Sequence, residues 1–225
     1  GMYAIAVRGV SKAEAHLSRD PFGIKPLYSA TIEGGVAFAS EISAFINAGL
    51  ISRELRQEAR DELLQLQFST GRITLQAQAT RILPGETARI NDGTVMHLRQ
   101  RDILPANGAA DWSEKEALEI LDEVLMNSVM MHQRADVPYG MFLSGGVDSS
   151  AILACMRDLN DHPVEAFTAG FKGTDVADER AHAAYVAKAA GAKFHTVEFS
   201  EDDFWTLLPD IVSVFDDPTT DYAIL

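Results

Sequence analysis

The spacing of apolar residues changes once along the chain. Up to about Arg101 they come in short runs broken by turn residues, the pattern of a β-rich segment. Tyr3–Val7 and Ala15–Arg19 read as paired strands. Pro26-Leu27-Tyr28 opens a third strand, and Gly34-Gly35 turns the chain into Val36–Ser40. Ser40 stands where a helix cap is wanted, ahead of Glu41 and an apolar face of Ala44, Phe45 and Ala48 that Gly49 ends. Glu62–Gln67 is helical in spacing, and Asn91-Asp92-Gly93 is a hairpin turn. From Trp112 the period lengthens. Ser113 and Glu116 make a capping box for a helix whose Ala117, Ile120, Leu121, Val124, Leu125, Ser128 and Val129 share one stripe, thickened by Met126, Met130 and Met131. His132 near its end reads as a favourable terminal charge.

Strands and helices then alternate. Tyr139–Leu143, Val164–Phe171 and Lys193–Val197 read as strands. Ser149–Met156, Asp178 to about Ala190, and a Ser200-capped stretch from Glu201 to about Val214 read as helices. Such alternation implies right-handed crossovers and a parallel sheet. Ligands bind such sheets at the carboxyl ends of the strands, which places the loop after Leu143 and an Ala169-Gly170 turn on one edge. Leu104–Ala110 is the best linker, so the expected domains are 1–103 and 113–225, joined by 104–112.

Composition narrows the function. A net charge of -14 argues against nonspecific binding to nucleic acid or to an anionic membrane. No apolar run approaches membrane-spanning length. The single cysteine, Cys155, has no partner for an internal disulfide and reads as a small core residue, so the cytoplasm is the expected compartment.

The chemistry is concentrated in Ser144-Gly145-Gly146-Val147-Asp148-Ser149. Two glycines let the backbone bend and let a ligand approach without a Cβ in the way. The amides of the turn and of the helix start favour an anion, and Ser144 and Ser149 add hydroxyl donors. Asp148 repels a phosphate unless a cation such as Mg²⁺ lies between them. No lysine follows the glycines, so this is not a Walker-type loop.

The pattern Ser-Gly-Gly-x-Asp-Ser resembles the pyrophosphate loop of the ATP pyrophosphatases. Arg19-Asp20-x-x-Gly23-x-x-Pro26-Leu27-Tyr28, followed by Phe38-Ala39-Ser40-Glu41, resembles the closing part of the glutaminase domain of asparagine synthetases, and Gly1-Met2-Tyr3-Ala4 fits a strand of that domain. From the residues alone, Arg19-Asp20 reads as a buried structural ion pair. Asp136–Gly140, Leu143–Ser150, Phe167–Phe171 and the Asp178-Glu179 helix resemble the synthetase domain of the same family in the same order. The resemblance implies an incomplete, β-rich glutaminase remnant of the amino-terminal-nucleophile (Ntn) type, α+β in class. An α/β parallel-sheet domain of the ATP-pyrophosphatase (adenine nucleotide α-hydrolase-like) class follows it. It further implies adenine contacts at Leu143, Ala169 and Gly170, pyrophosphate contacts at Ser144, Gly145, Gly146 and Ser149, and Mg²⁺ at Asp148.

The implied reaction is ATP-dependent amide formation on a small carboxylate such as aspartate, through an acyl-adenylate, with ammonia or glutamine as nitrogen donor. No Cys precedes Cys155, and no second loop of the Ser-Gly-Glu-Gly kind appears. A truncated fragment, inactive alone and unable to hydrolyse glutamine, is therefore expected. A β-lactam synthetase-like cyclase and a non-catalytic nucleotide- or partner-binding module are the alternatives. Apolar edges in the first segment make a homodimer possible. His195 reads as strand-end structure. Asp216, Asp217 and Asp221 read either as a substrate-facing group or as a solvated acidic turn.

Overall fold

The computed structural model describes residues 1–9, 14–101, 103–104, 108–171 and 178–216. Two compact units emerge, residues 1–108 with 208–225, and residues 109–207.

The first unit holds β1 (Ala4–Arg8), β2 (Glu14–Arg19), β3 (Tyr28–Ile32), β4 (Gly35–Ala39), α1 (Ile42–Asn47), α2 (Gln57–Leu66), β5 (Ala79–Arg81), β6 (Glu86–Asn91) and β7 (Thr94–Gln100). Its antiparallel sheets have the orders β1-β2-β6-β7 and β4-β3-β5. Register is set by burial. Leu17 lies opposite Ala88, both fully buried, and a one-residue slip would turn them to solvent. Asp92 (φ 47°) and Gly93 (φ 74°) form the primed turn that the Asn-Asp-Gly triplet announced.

Two expectations change. Glu41, not Ser40, occupies the cap position of α1, and its side chain makes no cap bond. The free amides of Ile42 and Ser43 donate instead to the Asp216 carboxylate, at 2.5 and 2.9 Å. A charged acceptor from far along the chain outcompetes the local hydroxyl. The Arg19-Asp20 pair is scaffold, as expected, but the backbone of the turn holds it. Arg19 donates to the carbonyls of Lys25, Ile82 and Gly23 at 2.7–2.9 Å. Asp20 accepts from the amides of Phe22, Ile24 and Lys25 at 2.9–3.2 Å.

The second unit holds α3 (Glu114–His132), β8 (Met141–Phe142), α4 (Val147–Leu159), β9 (Glu165–Phe171), α5 (Arg180–Ala190) and β10 (Lys193–Phe199). α6 (Glu201–Val214) begins in it. The sheet is parallel, as the alternation implies, in the order β10-β9-β8. The Ser113–Glu116 capping box is formed in both directions. On α6, Ser200 and Asp203 exchange the same pair of bonds, at 2.9 and 3.2 Å. The core joins Val129, Leu143, Leu153, Cys155, Met156, Ala166, Ala183 and Ala187. Cys155 is free and buried, as the sequence indicated.

Three differences matter for the site. The strand expected over Tyr139–Leu143 pairs only through Met141 and Phe142. Pro138 has no N–H to give, and Gly140 lies so close to Glu165 and Phe167 that a Cβ would meet both at 2.6 Å. Ala169-Gly170 is not a turn but part of β9, opposite Val197 and Glu198 of β10. The α3 stripe is only partly used. Leu125, Met126 and Val129 join the core, while Leu118, Leu121 and Val124 stay about 60% exposed. No helix among the described residues is long and apolar enough to cross a membrane.

Burial alone would push the Asp20 carboxyl upward, but the amides of Lys25, Ile24, Phe22 and Tyr3 outweigh it and hold it below the usual carboxylate range. A lowered folded value means that its stabilisation is complete above about pH 4 and is lost as pH falls through that lowered value. Asp20→Ala is expected to cost about 3 kcal/mol, because three amides lose their acceptor. Urea unfolding at pH 7 checks this, and the deficit should shrink at acid pH.

Candidate functional site

The parallel sheet decides which residues meet. Phe142 pairs with Phe167, so the chain leaving β8 runs level with Thr168 and Ala169 while β9 continues to Phe171. The loop 143–149 therefore lies beside the second half of β9. Leu143 fixes its root. It is 1% exposed, its N–H donates to the Phe167 carbonyl at 2.8 Å, and its carbonyl accepts from the Thr168 hydroxyl. Its backbone is thus largely engaged inside the fold, which leaves mainly a second carbonyl lone pair for a ligand.

Gly145 makes the turn at φ 81°, a left-handed conformation that disfavours other residues. It is also packed. A Cβ there would lie 2.9 Å from His182 Cδ2 and 3.0 Å from the Ala183 nitrogen, both on α5. Gly146 caps α4 with φ -63° and ψ 165°, and its open side faces only Ser144 Oγ, 3.3 Å from a built Cβ. No side chain caps α4, so the amides of its first turn remain available. The loop hydroxyls are turned inward. Ser149 donates to the Gly146 carbonyl at 3.2 Å, so the 3.1 Å bond to Ser144 has Ser144 as donor. Ser144 Oγ also accepts from the Gly146 N–H at 3.2 Å. Asp148 is exposed on the first turn of α4.

The other wall was not legible in the sequence. Gly170 is buried, and a Cβ on it would collide with Arg180 Nε and lie 2.8 Å from Arg180 Cζ. Arg180 is held by Asp178 at 2.7 and 2.9 Å and by Glu198 at 2.7 Å. Hydrogen bonds from Arg180 draw the Asp178 carboxyl down to about 2, and the guanidinium is pushed further up in turn. An Asp-Glu-Arg triplet opening a helix gave no sign of this ion-pair bridge.

Other candidates lie elsewhere. His195 sits within β10 near its amino end, opposite Phe167, stacked on that ring at 4.8 Å and 2.6 Å from Glu165. Lys193 and then His195 hold the Glu165 carboxyl below its usual range. That cluster belongs to the sheet face, away from the carboxyl edge. Asp216 is engaged with α1, and Asp217 and Asp221 lie outside the described residues. No group of three metal-ligating side chains forms among the described residues.

Comparison with known proteins gives two tandem matches. Residues 1–101 match the glutamine amidotransferase domain model and residues 120–225 the asparagine synthase model. The chain is 34% identical, along its whole length, to the glutamine-hydrolyzing asparagine synthetase 1 of Bacillus subtilis (strain 168), of which it covers 35%. It is equally similar, at 34% over 100% of the chain and 35% of the relative, to a Mycobacterium tuberculosis (strain ATCC 25618 / H37Rv) protein carrying a glutamine-hydrolyzing asparagine synthetase name. It is 27% identical to amidase chyE of Penicillium rubens (strain ATCC 28089 / DSM 1075 / NRRL 1951 / Wisconsin 54-1255), over 94% of the chain and 33% of that protein. The chain thus spans about a third of the length of these curated relatives.

The Gly170–Arg180 contact makes a quantitative expectation. Gly170→Ala should cost about 2 kcal/mol by overpacking against Arg180. The same change in an Arg180→Ala background should cost much less, because its collision partner is gone. A urea double-mutant cycle measures the coupling, and an additive cycle would show that the two residues are independent.

Proposed function

The chain belongs to the asparagine synthetase family, and from that premise we propose that its second unit is the nucleotide-binding part of a ligase that forms amides through an acyl-adenylate. The observation that carries the reading is the loop between β8 and α4. A left-handed glycine, an uncapped helix start and two hydroxyls converge there at the carboxyl edge of a parallel sheet. In this reading the domain has the ATP-pyrophosphatase fold. The first unit, with two antiparallel sheets and a match to the glutamine amidotransferase model, is the closing part of an Ntn-type glutaminase domain.

The residues divide the task. Ser144, Gly145, Gly146 and Ser149 hold the β- and γ-phosphates, through amides of the turn and hydroxyls that leave their inward bonds. Adenine lies along Leu143, Ala169 and Gly170, where Ala169 is exposed and the side of Gly170 that a Cβ would take is filled by Arg180, so any contact there is with its backbone. Asp148 fits a cation shared with phosphate oxygens and water. A lone exposed carboxylate beside an anion site repels the anion otherwise. Mg²⁺ bound there would neutralise charge on the departing pyrophosphate. A small carboxylate such as aspartate is the acceptor, and ammonia, delivered from glutamine in the longer relatives' architecture, is the nitrogen donor. The cytoplasm fits the one buried, free thiol of Cys155. A homodimer would cover Ile5 and Val7, exposed on the edge strand β1.

Calorimetric titration of the chain with Mg·ATP, Mg·pyrophosphate and metal-free ATP tests this. Weak binding that requires Mg²⁺ is expected, weak because two serine hydroxyls must be reoriented first. Asp148→Ala should remove the metal dependence and leave the fold intact. Gly146→Val should block binding: its backbone suits valine, but the side chain takes the phosphate's place. A folded chain that binds none of the three ligands would overturn the reading.

A further inference from the structure

We propose that His182 is a further ligand of the phosphate site, donating from its imidazole to the anion held by the loop 144–149. This inference rests on the reading of that loop as a pyrophosphate cradle, and it adds a residue from a different element.

Position comes first. His182 stands on the first turn of α5, and its Cδ2 is the nearest side-chain atom to a Cβ built on Gly145, at 2.9 Å. The ring edge therefore touches the turn of the loop itself. Cδ2 is bonded to Nε2, so a ring N–H lies one bond from that contact. The ring is exposed and forms no hydrogen bond or ion pair among the described residues. Its recorded neighbour is the Tyr185 ring, one turn further along α5, at 6.4 Å and 19°. That contact steadies the imidazole without using either nitrogen.

Charge then singles it out. The loop carries no lysine, and its one charged side chain, Asp148, has the wrong sign for a phosphate. Among the described residues, the permanent cation on this wall, Arg180, is bridged to Asp178 and Glu198. Freeing it would leave two carboxylates uncompensated beside the site. Among the described residues, His182 is a basic group on this edge whose donors are not already committed. An imidazole N–H donates to phosphate oxygen whether the ring is neutral or protonated, so the role does not require a titration. The ligand class is a di- or polyphosphate, with the terminal phosphate the group within reach of the first turn of α5.

The test uses the whole chain and Mg·pyrophosphate. His182→Ala should weaken binding roughly tenfold, the loss of one hydrogen bond to a charged acceptor. His182→Gln, which keeps an N–H donor, should recover most of that loss. In the wild-type chain the His182 ring nitrogen resonances should move on addition of Mg·pyrophosphate, and in Gly146→Val they should not. Thermal melting of both His182 variants should match wild type, because the ring is exposed. Unchanged affinity in His182→Ala together with unmoved ring resonances overturns this inference and leaves the loop reading standing. A wild-type chain that binds neither Mg·pyrophosphate nor Mg·ATP overturns both.

Discussion

The ligand edge depends on one constraint: the backbone at two glycines must touch helix α5 directly. Gly145 rests on the amide of Ala183 and the ring of His182, and Gly170 rests on the Arg180 guanidinium. The same helix buries Ala183 and Ala187, residues small enough to let it approach the sheet. The Thr168 hydroxyl, bonded to the Leu143 carbonyl, ties the root of the loop to β9. The loop is thus not a flexible rim. Its turn, its root and the flanking strand are fixed by packing, while Ser144, Gly146 and Asp148 are exposed. A preformed shape with reorientable hydroxyls favours selective rather than tight binding, since part of the interaction energy goes to rearranging existing bonds.

The first unit solves a different problem with polar groups. Glu86 is 2% exposed, yet Arg72 binds it through two nitrogens at 2.8 and 2.9 Å, the Leu83 amide at 2.7 Å and His97 at 2.6 Å. Burial pushes its carboxyl up, and these partners more than reverse that. Arg19 and Asp20 follow the same rule with several backbone partners. A buried charge is tolerated when each of its hydrogen-bonding positions is filled, and it then fixes geometry that apolar packing would leave loose. Here it fixes the turn after β2 and the start of β6.

The sequence exposed what local rules govern. The hairpin turn at Asp92-Gly93, the Ser113–Glu116 box and the strand–helix alternation all follow from a few neighbouring residues. Long-range partners stayed hidden. Asp216 reaches α1 across 174 residues of sequence and displaces the expected Ser40 cap. The backbone partners that hold Arg19 were not foreseen, one of them Ile82, 63 residues away. β8 proved shorter than its apolar run because Gly140 is pressed against Glu165 and Phe167, and no residue near Gly140 announces those partners. Of the candidate site, the Ser144–Ser149 half was legible because glycine spacing is itself the signal. The α5 half was not, since an arginine and a histidine in a helix look like ordinary surface residues until the fold sets them beside two glycines.

If the chain binds an anion as proposed, its net charge of -14 gives no help, because the overall field repels the ligand at long range. The attraction has to come from groups acting over a few ångströms, where salt screens little. Amide dipoles at an uncapped helix start meet that requirement without adding a buried charge that would itself need a partner. An arginine in the same place would bind more strongly, yet the arginine present is balanced by two carboxylates and serves to hold the strands and α5 together. The division has a chemical sense for the proposed reaction, which would release pyrophosphate. In that reading the protein's partial charges hold the ligand firmly enough to orient it and weakly enough to let the product leave, whereas a fixed arginine would stabilise bound substrate and bound product alike.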